Sequence, residues 1–145
     1  MESNAAEAST AATNTEDTAT LPATKELLIL FAHGSRDPNW QRPFQHLAKQ
    51  IAAKLGEHQV RLAYMEMCEP SLIKVAKEAE QQGFTRIKLL PLFMASGGHV
   101  AHDIPVLIAQ INREYSSLTV TLLPPIGEHP LVIEAIHQIA AQAMA

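Results

Sequence analysis

Two histidines, His33 and His99, each follow an apolar run of strand length, and that is where chemistry is to be sought in this chain. An imidazole titrates near neutrality, binds a divalent transition metal through either ring nitrogen, and takes up protons as a general base. Two that face each other can do both jobs. A single loop histidine is more often structural or solvated, so only the two together point to chemistry. Glu66 and Glu69 follow another apolar run, so one carboxylate could approach the same pocket while the other caps the helix beginning at Pro70. On residue type alone, capping or solvation accounts for both.

The segment between the third apolar run and His99 is Met94-Ala95-Ser96-Gly97-Gly98. Its glycines suit a tight connection with positive φ. They equally suit close backbone approach to an anion, with free N–H groups donating to phosphate or carboxylate at a helix start. His102 lies three residues after His99 and shares a helical face with it if the helix begins early; pointing to solvent is the simpler reading. His46, His58, His129 and His137 fall in helices or turns away from the crevice and receive no role. Met65, Met67 and Met94 cluster near strand ends, as core packing does, although a large flat apolar ligand would also suit them.

The elements that must position these residues are legible from apolar patterning. Leu27 to Ala32 is a continuous apolar run, as in a strand covered on both faces. Asp37-Pro38 then supplies an N-cap and a first-turn proline, and Phe44, Leu47, Ala48, Ile51, Ala52 and Leu55 recur at helical spacing until Gly56. Val60 to Met65 is a second strand, followed by a helix carrying Leu72, Ile73, Val75, Ala76 and Ala79 and closed by Gly83. Arg86 to Phe93 is a third strand, in which Pro91 marks the end or a bulge because it removes a ladder donor. Asp103-Ile104-Pro105 opens a third helix, Leu118 to Leu123 is a fourth strand, and a last helix contains Val132, Ile133, Ile136, Ile139 and Ala140.

A βα unit repeated four times with right-handed crossovers gives an α/β fold, a flavodoxin-like four-stranded parallel sheet with helices on both faces. The expected strand order is 2-1-3-4. Its switch point lies between the first and third strands, and the loops leaving those two strands carry His33 and His99.

Composition bounds what such a site can serve. At 145 residues with 47% hydrophobic content, the chain fits one domain over residues 25–145, preceded by an Ala/Thr/Ser-rich leader over 1–24 that reads as disordered. The leader is acidic, lacks an apolar centre and contains no Arg, unlike a secretory signal or transit peptide. A net charge of −4 provides no basic excess for nucleic acid or anionic membrane. The single cysteine, Cys68, requires no oxidising compartment, and no apolar run reaches the roughly 18 residues of a membrane span, so a cytoplasmic protein is expected.

Three segments together carry a resemblance. Ala32-His33-Gly34-Ser35-Arg36, Glu66-Met67-Cys68-Glu69-Pro70-Ser71, and Pro91-Leu92-Phe93 through Gly97-Gly98-His99 to Asp103-Ile104-Pro105 resemble the small class II tetrapyrrole chelatases, the short sirohydrochlorin chelatases of the CbiX and SirB type. The resemblance covers roughly residues 26 to 145 and implies insertion of Co²⁺, Fe²⁺ or Ni²⁺ into sirohydrochlorin, with the metal as substrate and no permanently bound cofactor. It assigns His33 and His99 as metal ligands and catalytic groups, His33 being the better candidate for taking pyrrole protons, and Glu66 as a proton relay. Glu69 and the segment Met94, Ala95, Ser96, Gly97, Gly98 and His99 match those lining the tetrapyrrole, with the Ser96-Gly97-Gly98 backbone receiving a carboxylate arm. A single lobe, where longer relatives have two, implies a homodimer. The leader and His102 depart from the pattern.

Two other functions compete. A phosphohistidine phosphotransferase would also place His33-Gly34 after the first strand, but it calls for an arginine where Ala32 stands. A non-catalytic metal or tetrapyrrole carrier would need the same histidines and cleft.

Overall fold

In the computed structural model, which describes residues 25–145, strands and helices alternate as the apolar runs dictate. The leader expected over 1–24 lies outside the described residues. Strands β1 (Glu26–Ala32), β2 (Val60–Tyr64), β3 (Arg86–Pro91) and β4 (Thr119–Leu122) form one parallel sheet in the order β2-β1-β3-β4, as expected. Pro91 ends β3 without a bulge. Leu92 N–H donates to Phe31 O of β1, so the donor missing at Pro91 faces β4, whose last pairing with β3 is Leu122 with Leu89.

Local chemistry sets the helix ends. Helix α1 (Pro38–Leu55) starts where Asp37 accepts a hydrogen bond from Asn39 N–H at 2.9 Å, and it closes at Gly56. Helix α2 (Leu72–Gln81) is capped by Ser71, which accepts from Lys74 N–H at 3.2 Å, so it begins two residues beyond the expected Pro70. Helix α3 (Gly98–Glu114) departs most from expectation, because it begins five residues before Asp103 and contains Pro105. Val100 and Ile104, four apart on one helical face, are both buried, and that packing extends the helix upstream of its proline.

One core lies between the sheet and α2 and α3. Leu27, Ile29 and Phe31 of β1 and Ile87 and Leu89 of β3 meet Val75, Ala76 and Ala79 of α2 and Val100, Ile104 and Ile111 of α3. Alternate strand residues point to the opposite face. There α1 packs on β2, with the Trp40 ring 6.1 Å from that of Tyr64. Tyr64 is buried and its hydroxyl has no hydrogen-bond partner among the described residues; burial first, and Cys68 second, push its pKa above the usual phenol range. Helix α4 (Pro130–Ala143) follows a 3-10 helix (Ile126–Glu128), packs chiefly against it, and contributes no buried residue to either layer. No helix among the described residues is long and apolar enough to cross a membrane.

Arg61 of β2 donates to the Glu78 carboxylate of α2, tying the edge strand to its helix. That hydrogen bond holds the Glu78 carboxyl below its usual range. A depressed carboxyl stabilises the fold above its unfolded pKa and loses that contribution as pH falls through its folded value. Arg61→Met is therefore expected to flatten the acid side of the stability profile, read as urea midpoints across the carboxylate range. The pair is partly exposed, so the difference should stay below about 1 kcal/mol.

Candidate active site

His33 stands one residue beyond β1, at the carboxyl edge of the sheet, and is exposed. Its ring lies against Phe93, the second residue past β3, with centroids 4.1 Å apart and planes inclined at 35°. Phe93 itself is buried and packs on Phe31, so the imidazole rests on the rim of the core. An exposed ring supported on one face has a limited set of orientations and keeps its nitrogens accessible.

The loop after β2 is built onto this segment through the backbone. Met65 N–H donates to Ala32 O at 2.9 Å, and Glu66 N–H donates to His33 O at 3.1 Å. Gly34, at φ +101°, lies so close that a Cβ there would sit 1.8 Å from Glu66 O. Only glycine allows both the conformation and the approach. Met67 also has a positive φ, 70°, which a non-glycine residue adopts at some cost. Strain is thus concentrated where the second loop meets the first.

The expected site residues fall as follows. Glu66 is exposed and lines a shallow pocket of about 260 Å³ with Met65, Asp103, Val106 and Leu107, so it faces the Asp103–Leu107 stretch of α3 across a groove. Glu69 accepts from Ser71 N–H at 3.2 Å, which makes it a local loop acceptor beside the Ser71 cap. His99 belongs to the first turn of α3 and not to a loop; its side chain lies outside the described residues. His102 falls three positions later on the same helix and is exposed. Met94 is 63% exposed and Met67 58%, so neither is core, and both present thioethers at this edge.

Ala95 to Gly97 form the exposed approach to α3, which begins at the exposed Gly98 with no side-chain cap. The first-turn N–H groups of a helix have no intrahelical acceptor, so this end suits an anionic arm. Ser96 N–H is not among the free donors, because it already donates to Glu128 Oε1 at 3.3 Å. Beneath the loop, Phe93, Ser96, Val100, Ile104, Leu122 and Pro125 help to line an apolar cavity of about 130 Å³. Among the described residues no group of three or more His, Cys, Asp or Glu side chains gathers in metal-binding geometry.

The sequence does not single out Phe93 as the platform for His33, nor Gly127 and Glu128 as partners of the Met94–Ser96 segment. For Phe93 a signal existed in the β1–β3 adjacency of the expected strand order. The contacts to Gly127 and Glu128 join positions more than thirty residues apart and have no local signature.

Comparison with known proteins agrees with this architecture. The CbiX family model matches residues 27–143. A CbiX protein of Marinobacter aquaeolei VT8, known from its crystal structure, is 34% identical, superposes with a TM-score of 0.74, and is matched over 82% of this chain and 97% of its own. The chloroplastic sirohydrochlorin ferrochelatase of Arabidopsis thaliana is 31% identical over 110 residues, 76% of this chain and 49% of that protein. The sirohydrochlorin cobaltochelatase of Methanococcoides burtonii is 26% identical over 125 residues, 81% of this chain and 95% of that protein. The chain thus spans about half the length of the plant relative and nearly all of the archaeal one. With the expected sheet order, the histidine-bearing edge and the match over 27–143, the chain belongs to the CbiX family.

Proposed function

We propose that this protein is a sirohydrochlorin chelatase that inserts a divalent metal, Co²⁺ or alternatively Fe²⁺ or Ni²⁺, into the macrocycle. The observation that carries the reading is the exposed His33 imidazole, braced on Phe93 at the junction of β1 and β3, in a chain that matches CbiX over 27–143. Insertion must strip water from the ion, offer it to one face of the ring and accept two pyrrole protons. A neutral imidazole is suited to the first two tasks as a transient ligand and to the third as a base. His33 fills these roles, with His99 as the second metal ligand. Glu66, whose backbone is bonded to that of His33, relays protons to solvent.

The macrocycle lies against the exposed Met94, the Ala95–Gly97 approach to α3 and Gly98 at its start, and Glu69 flanks it from the loop after β2. A carboxylate arm is received by the uncapped N-terminus of α3, at N–H groups other than that of Ser96. Two copies face each other to complete the cleft. In support of that pairing, α4 has no buried residue and exposes Leu131, Ile136 and Ile139, an apolar surface that a partner can cover. The single cysteine is consistent with the cytoplasm as its compartment.

The test is to mix the purified protein with sirohydrochlorin and each of Co²⁺, Fe²⁺ and Ni²⁺ and follow the absorbance of the metallated ring. A rate that rises in proportion to protein concentration is expected for at least one metal. Binding of metal or tetrapyrrole without faster insertion would favour a carrier instead.

A further inference from the structure

The loop between β3 and α3 is held from the far side of the sheet edge, by the 3-10 helix that follows β4. Gly127 N–H donates to Phe93 O at 3.0 Å, and a Cβ at Gly127 would lie 2.0 Å from Met94 O, so the two backbones are in direct contact. The next residue, Glu128, takes two hydrogen bonds on one carboxylate oxygen: Ser96 Oγ–H donates at 3.0 Å and Ser96 N–H at 3.3 Å. Ser96 is also the one residue with a polar side chain lining the apolar cavity beneath the loop. Between Phe93 and the first turn of α3, the contacts through Gly127 and Glu128 are the long-range polar ties that fix the chain among the described residues.

From this geometry we propose that Glu128 is a positioning residue. By clamping Ser96 it holds the Met94–Gly98 segment, and the helix start that follows, in the conformation that receives an anionic macrocycle. The proposal rests on the chelatase reading for its substrate, though the clamp itself does not. A competing role for the same contact is that the Glu128 carboxylate occupies donors the substrate needs, in which case removing it would tighten binding. The paired geometry favours the clamp, since both Ser96 donors converge on one oxygen while Gly127 pins the adjoining residues. Hydrogen bonds to a charged acceptor are also stronger than neutral ones.

Full-length Glu128→Ala and Glu128→Gln separate these roles, and the exposure of Glu128 means that neither change disturbs the core. Glu128→Ala removes both hydrogen bonds to Ser96 and should raise KM for the tetrapyrrole about tenfold, the exposure of the carboxylate limiting what the pair contributes. Its kcat should stay within about twofold, because no reacting atom is touched. Glu128→Gln keeps an acceptor oxygen and should hold KM within about threefold of wild type. In parallel, amide hydrogen exchange at Ser96, read by NMR on the free protein, should quicken in the Ala variant and much less in the Gln variant. An Ala variant with unchanged or lowered KM, or with unaltered Ser96 exchange, overturns the proposal. If the wild type itself fails to insert metal, the chelatase reading falls, while Ser96 exchange and the affinity for metal-free sirohydrochlorin still decide the clamp.

Discussion

His33→Ala is expected to lower the rate of metal insertion by about 100-fold or more while leaving the fold intact. The ring is exposed and touches the core only where it lies on Phe93, and the His33 carbonyl that accepts from Glu66 N–H is retained in alanine. What disappears is the imidazole proposed as transient ligand and then as proton acceptor. Steady-state insertion followed by absorbance, alongside a thermal melt by circular dichroism, checks both halves. Full activity in the variant would remove His33 from the mechanism; a large fall in melting temperature would show a structural role that its exposure does not suggest.

Gly34→Ala, one residue along, is expected to fail for the opposite reason. A Cβ at this position would lie 1.8 Å from Glu66 O in a backbone at φ +101°, so steric overlap and an unfavourable conformation act together. Relief requires the loop after β1 to separate from the loop after β2, breaking the Glu66 N–H to His33 O hydrogen bond. We expect a loss of about 3 kcal/mol or more, seen as a melting temperature lower by ~10 °C or more. Insertion should also be lost in the fraction that remains folded, because His33 and Glu66 no longer share a fixed frame. Near-wild-type stability and activity would mean that the contact between the two loops is easily relaxed.

Part of this site is legible in the chain and part is not. His33 was accessible because an apolar run ending in His-Gly-Ser-Arg places a polar side chain at a strand's carboxyl edge, and the β1–β3 neighbourhood followed from the crossover rule. Asp37-Pro38 and Gly56 likewise marked the ends of α1 through local capping chemistry. The start of α3 was not legible in the same way. Asp103-Ile104-Pro105 has the form of a helix opening and Gly97-Gly98 that of a loop, yet burial of Val100 and Ile104 carries the helix back to Gly98 without any side-chain cap. Tertiary packing overrode the local signal there.

Glu69 shows a side chain whose local role is visible only in the fold: Oε2 accepts from Ser71 N–H beside the Ser71 cap, and the carboxylate as a whole stays exposed. The Ser96–Glu128 contact and the Gly127–Met94 approach were out of reach of any local pattern, since they depend on how the turn after β4 meets the turn after β3. The resemblance to the chelatases supplied chemistry that spacing could not: paired histidines at a switch point fit a metal, a phosphate or a proton-transfer site equally well.

The most direct test of the account is multiple-turnover insertion with protein well below the concentration of sirohydrochlorin. Wild-type protein is predicted to convert many equivalents of tetrapyrrole to its metal complex with Co²⁺, Fe²⁺ or Ni²⁺, at a rate proportional to protein concentration, and His33→Ala is predicted to approach the uncatalysed rate. Conversion that stops at one equivalent per site, or that proceeds no faster than without protein for all three metals, would contradict it.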